Sequence, residues 1–167
     1  MSLHNQPLFV SAIRDYGPSL VNISTMFTNN ETEQKALYQR MVLSIWQALE
    51  HYKQDEHEVD LCIFVYQVAF NCVYLRVTKD HKDEQADALS ATETLLQDTP
   101  LILRAMRQLA FVHRQFLCLL FDEFSYEDIA MICGIDVSTV PDAVVSAQLA
   151  LKQKMASIEQ SGEVVNV

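Results

Sequence analysis

Glycine is scarce in this chain, and its scarcity constrains the fold more than any other feature of the sequence. The 167 residues include only three glycines, Gly17, Gly134 and Gly162. Tight turns between strands depend on residues that tolerate positive φ, glycine above all, so a β-sheet protein of this length would need more of them. Helices joined by short polar turns need few glycines. The sequence therefore predicts an all-α protein.

Apolar spacing predicts three helices before residue 50. The first is expected over Leu8–Asp15, ending near Gly17-Pro18, and the second over about Ser19–Phe27. Asn30, followed three residues later by Glu33, resembles a capping box and predicts the start of the third helix. The buried face of the third helix is expected to carry apolar residues at steps of four: Leu37, Met41, Ile45 and Leu49.

A polar loop is expected at residues 52–60, followed by a helix that begins at Leu61. The β-branched and aromatic residues of this helix would also suit a strand, but the apolar run is too long and lacks the alternation of a half-exposed strand. From Asp80 to Pro100 the sequence becomes polar and acidic, which predicts a linker with some helix around Ala86–Leu96. The chain is thus expected to form two small helical domains, residues 1–82 and 101–167, joined by a polar acidic linker at residues 83–100.

The second domain begins with two predicted helices and a short third one. The first two are expected within Leu101–Phe121, with a break near Leu109–Val112. Ser125, followed three residues later by Asp128, predicts a capped helix start. Gly134 is expected to end that short helix, because the residue after a helix often needs positive φ.

The last predicted helix completes a helix-turn-helix. Its cap is expected to be Asp136 or Ser138, and Pro141 falls in its first turn, where backbone N–H groups have no partner within the helix. A short helix, a glycine-containing turn and a longer helix are typical of proteins that read the DNA major groove. The buried face of the last helix is expected to comprise Val140, Val144, Ala147, Leu151 and Met155.

The charge of the chain argues against strong binding to nucleic acid. The formal net charge is -10 at pH 7, which repels phosphate and anionic lipid unless the basic side chains gather on one face. No lysine or arginine occurs between Arg114 and Lys152, a stretch that includes the turn and the start of the last helix. Any affinity of the isolated protein for DNA is therefore expected to be weak.

The cysteines indicate a reducing compartment. They form no C-x-x-C pair and lie in strongly apolar stretches, as expected for buried free thiols, and the histidines and acids near His51 and His57 match no common metal-site spacing. The sequence contains no secretory segment and no apolar run near the roughly 20 residues that a bilayer requires. We therefore expect a cytoplasmic protein with no metal, cofactor or membrane contact. The four cysteines are Cys62, Cys72, Cys118 and Cys133.

The chain resembles a known family in both predicted domains. The second domain resembles region 4 of the bacterial RNA polymerase sigma factors of the extracytoplasmic-function type, through the segment RQFLCLLFDEFSYEDIAMICGIDVSTV at residues 114–140. In that family the segment forms the helix-turn-helix that reads promoters. The first domain is similar to region 2, through ALYQRMVLSIWQAL at residues 36–49 and FVYQVAFNCVYLRVTKDHK at residues 64–82. Together these segments cover most of the chain.

The resemblance implies that the helix at residues 36–49 docks on the β′ subunit of core RNA polymerase. The hydrophobic register of the family motif is kept, whereas two of its acidic positions are occupied by Ala36 and Arg40. The residues implied to bind core polymerase are Leu37, Gln39, Arg40 and Trp46.

The resemblance also implies two regions that contact promoter DNA. In the family, the helix matching residues 64–82 ends in a basic segment that meets the minus-ten element, and the last helix carries Lys or Arg near its start. Here the last helix has Pro141 and Asp142 at those positions. The residues implied to contact DNA are Tyr66, Asn71, Arg76, Lys79 and Lys82 in the first domain, and Arg114, Ser138, Thr139, Asp142, Ser146, Gln148 and Lys152 in the second.

Three functions remain open as hypotheses. The first is a sigma factor that directs promoter-specific initiation while core polymerase supplies most of the DNA affinity. The second is a sigma-like protein that keeps the fold and acts by binding an anti-sigma factor or the polymerase. The third is an enzyme, which is disfavoured because the sequence contains no nucleophile–base pair, phosphate-binding loop or metal-ligand spacing.

Overall fold

The computed structural model describes residues 5–52, 59–83 and 99–163. Within these ranges the chain is helical and contains no strand, which confirms the all-α prediction. A short 3₁₀ helix, Val137–Thr139, lies between the last two helices. The helices are α1 (Gln6–Met26), α2 (Glu31–Ala48), α3 (Leu61–Asp83), α4 (Leu101–Arg107), α5 (Phe111–Phe121), α6 (Tyr126–Cys133) and α7 (Val140–Glu163).

The first helix differs from its prediction. We expected two helices that meet at Gly17-Pro18, but α1 continues through Pro18 to Met26. A proline inside a helix removes one backbone hydrogen bond and costs about 3 kcal/mol. Ala12 precedes the proline, Leu20 and Ile23 follow it, and all three are almost completely buried. Burial of apolar side chains on both sides of Pro18 offsets that cost, and this packing is invisible to local sequence rules.

Three local signals lie where the sequence placed them, whereas Asp136, which was expected to cap the last helix, caps the 3₁₀ helix before it. The Asn30 side chain accepts a hydrogen bond from the Glu33 backbone N–H at 2.9 Å, and the Ser125 hydroxyl accepts one from the Asp128 N–H at 3.1 Å. Gly134 ends α6 with φ of 67°, a conformation that strains any residue with a Cβ. The Asp136 carboxylate accepts from the Ser138 N–H and caps the 3₁₀ helix. These contacts fix the ends of α2 and α6 and the turn before α7.

The N-terminal half, α1 to α3, is built around the predicted stripe of α2. Leu37, Met41, Ile45 and Leu49 are each 2% exposed or less, as the four-residue spacing predicted. Region 61–83 is a helix and not a strand. The segment Leu61–Lys79 is long and apolar enough to cross a membrane by length and composition alone, although core helices meet the same criterion. Part of this segment packs inside the bundle.

The C-terminal half, α4 to α7, contains the helix-turn-helix. The break between α4 and α5 lies at residues 108–110, close to its predicted place. The axes of α6 and α7 differ by 111°, within the range of helix-turn-helix motifs. The predicted inner face of α7 packs on α4 and α5: Val140, Val144, Ala147 and Leu151 are buried and Met155 is partly buried.

The two halves pack against each other. α3 contacts α5 and α6, and α1 contacts α4, so the buried apolar side chains of both halves form one continuous cluster. Residues 84–98, which include most of the predicted linker and its predicted helix around Ala86–Leu96, lie outside the described residues. The division into domains at residues 82 and 101 therefore stays a prediction.

Candidate functional site

Tyr66, an implied DNA contact, lies in the interface between the halves. Its hydroxyl donates a 2.6 Å hydrogen bond to the Asp122 carboxylate, and its ring meets Phe124 edge to face at 4.7 Å between centroids. Only 2% of Tyr66 is exposed. Gln67 on the same helix donates to the carbonyl oxygen of Met131 at 2.8 Å. In this arrangement Tyr66 joins α3 to the C-terminal half and is not accessible to nucleic acid.

Arg114, another implied DNA contact, covers the C-terminal end of α1. Its Nη1 donates to the Met26 carbonyl oxygen at 3.3 Å, and its guanidinium lies 4.7 Å from the centroid of the Phe27 ring. Arg107 donates to the neighbouring carbonyl of Thr25 at 3.2 Å. The last turn of α1 has no basic residue of its own, so Arg107 and Arg114 act as its cationic cap.

Loss of the Tyr66 hydroxyl is expected to raise the pKa of Asp122. Burial already raises the pKa of this carboxyl above its ordinary value, and the hydrogen bond from Tyr66 opposes the rise by favouring the carboxylate. Tyr66→Phe removes that donor, so the pKa of Asp122 should be higher in the variant. An NMR titration of the Asp122 carboxyl in both proteins measures the difference. An equal or lower pKa in the variant would contradict the contact.

Asp122 is also expected to make the free energy of unfolding depend on pH. Because its folded pKa is raised, the folded state binds the proton more tightly than the unfolded state does. Its contribution to the free energy of unfolding therefore grows as pH falls from the raised pKa towards the ordinary value of 3.8. Asp122→Asn should remove this contribution, which urea unfolding over the same pH interval would detect.

The outer surface of α2 carries an apolar groove, called here the α2 groove. Gln39, Leu43 and Trp46 recur at helical spacing on one face, beside the buried stripe. Leu43 is 55% exposed, and the Trp46 ring packs edge to face on Phe9 of α1 at 4.7 Å. The groove has a volume of about 310 Å³ and is lined by Phe9, Tyr38, Gln39, Val42, Leu43 and Trp46.

The four residues implied to bind polymerase occupy three different faces of α2. Gln39 and Trp46 line the α2 groove, Arg40 lies on the next face, and Leu37 is buried in the core. Leu43 was not among the implied binding residues, although it matches the family motif. Leu43 does not fall on the four-residue spacing of the buried stripe of α2, and this feature of the sequence indicates that it is exposed.

A second groove, called here the polar groove, lies between α2 and α3. It has a volume of about 440 Å³ and brings Arg40 near Asn71 and Lys79, two of the implied DNA contacts. Arg76, a third, instead pairs with Glu33 at 3.1 Å. Lys82 lies in the last turn of α3, and its side chain is outside the described part. The polar groove therefore brings together two of the five implied DNA contacts of the N-terminal half, Asn71 and Lys79.

The implied DNA contacts of the helix-turn-helix are exposed to solvent, but they do not form a cluster of cationic side chains. Thr139 donates to the Asp136 carbonyl oxygen at 2.7 Å, and Ser146 lies 3.4 Å from Nε2 of His113. Lys152 is the one cation among the six implied contacts at or after residue 138. All six are exposed: Ser138, Thr139, Asp142, Ser146, Gln148 and Lys152.

The four cysteines lie in the described residues and are at least partly buried. Cys72 and Cys118 are buried, Cys62 and Cys133 are partly buried, and all four are free thiols. Burial raises the pKa of Cys118 to about 12 and that of Cys133 to about 11, which keeps both in the unreactive thiol form at neutral pH. Across the described ranges, no three His, Cys, Asp or Glu side chains are grouped to hold a metal ion.

Solved structures show which fold this is. No protein-family model and no curated protein matches the sequence. The sigma factor RpoE of Bartonella quintana, in complex with the anti-sigma factor NepR, is 19% identical and superposes with a TM-score of 0.69 over 89% of this chain and 96% of its own. CnrH, in complex with the cytosolic domain of CnrY, is 16% identical with a TM-score of 0.64 over 92% and 90%. The chain therefore has the fold of the extracytoplasmic-function sigma factors that its sequence resembles.

Proposed function

We propose that this protein is a sigma factor that binds core RNA polymerase and directs promoter-specific initiation of transcription. The observation that carries the proposal is the α2 groove, an exposed apolar surface on the helix that the resemblance assigns to polymerase docking. Trp46 is a side chain of the type that is enriched in protein interfaces, exposed Leu43 adds apolar surface beside it, and Gln39 adds a polar group. Similarity to a sigma factor over nearly the whole chain supports the same function.

Promoter contact in this proposal depends mainly on the N-terminal half. Arg40, Asn71 and Lys79 face the polar groove and offer one amide and two cationic side chains. Cations that neutralise phosphates supply most of the affinity for DNA, and two such groups give weak binding. Core polymerase would hold the promoter, and the protein would contribute selectivity for certain sequences.

Leu43→Asp is the first test of polymerase docking. An aspartate in the α2 groove puts a charge into an apolar interface, so the Kd for core polymerase should rise about tenfold or more. Val21→Asp on α1 likewise replaces an exposed aliphatic side chain with aspartate, but outside the groove, and it should leave the Kd within about twofold. Co-elution with core polymerase and biolayer interferometry measure both variants.

Two outcomes would contradict the docking site. If the wild-type protein does not co-elute with core polymerase, the proposed function is wrong. If Leu43→Asp binds as tightly as wild type while Val21→Asp does not, the polymerase meets a different surface. Melting curves of both variants should match that of wild type, because both side chains are exposed.

A sigma-like protein that acts only by protein interaction is the second candidate. The acidic character of the helix-turn-helix favours it, because residues 115–151 contain no Lys or Arg. RpoE of Bartonella quintana is bound to an anti-sigma factor, and an anti-sigma factor is one of the two partners of this candidate. Co-elution with core polymerase that yields no promoter-directed transcript would favour this candidate over the first.

A further inference from the structure

We propose that the outer face of α7 binds a protein segment that is helical, apolar on one side and flanked by Lys or Arg. We define this outer face by Asp142, Val145 and Leu149. The inference goes beyond polymerase docking, since it concerns only the C-terminal half and holds whether or not the α2 groove binds polymerase.

The outer face is apolar where a water-exposed helix is normally polar. Val140, Val144 and Ala147 point into the core. At 100° per residue, Val145 and Leu149 lie on the opposite side of the helix, and they are 61% and 54% exposed. Residues four apart on a helix are neighbours, so the two side chains form one continuous apolar surface.

The turn before α7 extends this apolar character. Val137, in the 3₁₀ helix, is 44% exposed, and Ile135 at the end of the turn is 38% exposed. Neither side chain belongs to the buried core. A contiguous exposed apolar patch is typical of a surface that a partner covers, and Val145 with Leu149 forms the contiguous part of this surface.

Charge identifies the chemistry of that partner. Residues 115–151 carry six carboxylates and no Lys or Arg. Asp136 and Asp142, at the turn and the start of α7, are both exposed. Hydrogen bonds from Ser138 hold the pKa of Asp136 below its usual range, so this carboxylate stays charged. A partner with cationic residues beside an apolar stripe matches both features of the outer face.

Other occupants fit the outer face less well. Duplex DNA requires cations, and the outer face has none before Lys152. A second copy of the chain brings a net charge of -10 to an already acidic surface. The segment 84–98 of this chain contains acidic residues and no Lys or Arg, so it is repelled as well. A cationic amphipathic helix, which inserts apolar side chains at steps of three and four, avoids all three conflicts.

A designed peptide tests the proposal with the full chain. The probe is a fluorescein-labelled 18-residue helix with leucine on one face and lysine on the other, and a scrambled peptide of the same composition is the control. Fluorescence anisotropy should detect binding of the helical probe that weakens as salt rises. The double variant Val145→Ser/Leu149→Ser should weaken binding about tenfold or more, and Asp142→Lys about threefold or more.

Val10→Ser on α1 is the matched control, because Val10 is equally exposed and lies in the other half. It should leave binding unchanged, and the melting temperatures of all variants should stay close to wild type. Equal binding of the probe to wild type and the double variant would show attraction to acidic surfaces in general and would overturn the proposal. No binding of the probe, or binding of duplex DNA that the double variant loses, would overturn it as well.

Discussion

Leu37→Ala is expected to lower the free energy of unfolding by about 2–5 kcal/mol. Leu37 is 2% exposed and packs in the core between α2 and its neighbours. Truncation removes the buried methyl groups and leaves a cavity that a packed helical core closes only in part. Urea denaturation followed by the fluorescence of Trp46, the one tryptophan of the chain, measures the loss.

Leu43→Ala is the matched control for this prediction. It makes the same chemical change on the same helix, but Leu43 is 55% exposed, so the free energy of unfolding should change by less than about 0.5 kcal/mol. The opposite pattern is expected for polymerase binding, which should depend on Leu43 and not directly on Leu37. A stability loss that is equal at the two positions would mean that α2 is rotated relative to the arrangement described here.

Arg114→Ala is expected to lower the free energy of unfolding by about 2 kcal/mol. The substitution removes the hydrogen bond to the Met26 carbonyl and the contact of the guanidinium with the Phe27 ring. Part of this loss is offset, because burial disfavours the charged guanidinium and lowers the pKa of Arg114. The last turn of α1 would lose one of its two cationic caps.

Lys152→Ala is the control for Arg114, since it removes an exposed cation from the same half of the protein. It should change the free energy of unfolding by less than about 0.5 kcal/mol. If Arg114→Ala is as stable as wild type and instead weakens DNA binding, the arginine acts on nucleic acid as the resemblance implies, and its contact with α1 is not a stable feature in solution.

Local signals made the ends of several helices predictable. Asn30, Ser125 and Gly134 act through atoms within three or four residues of themselves, so their roles can be inferred from a short stretch of sequence. Apolar residues at steps of four in α2, and at steps of three and four in α7, identified the buried faces for the same reason, because helical periodicity is a local property.

Contacts between distant residues could not be predicted in this way. Pro18 stays helical because residues on both sides of it pack on other helices. Tyr66 meets Asp122 across 56 positions of sequence, and Arg114 meets Met26 across 88. The resemblance implies DNA contact for both side chains, and that role stays a prediction, because a motif records residue identity and not the surface that a residue faces. The α2 groove also depends on Phe9, which belongs to another helix.

The surfaces of the two halves differ in chemistry, and our two proposals assign them different partners. The N-terminal half combines an apolar groove on α2 with a groove that contains cationic groups, which suits polymerase and nucleic acid together. The C-terminal half keeps the helix-turn-helix geometry, but exposed Asp136 and Asp142 lie at the turn and at the start of α7, and no Lys or Arg occurs from residue 115 to 151. A DNA-reading motif can thus retain its fold while its exposed face suits a protein partner, because the buried stripe and the outer face are specified by different residues.

Transcription with purified components is the most direct test of the proposed sigma-factor function. Core polymerase, with and without this protein, is incubated with fragments of the source genome, and the 5′ ends of the transcripts are sequenced. We predict discrete start sites that require the protein, share an upstream sequence and disappear with Leu43→Asp. Transcripts that are the same with and without the protein, even though it co-elutes with core polymerase, would contradict the proposed function.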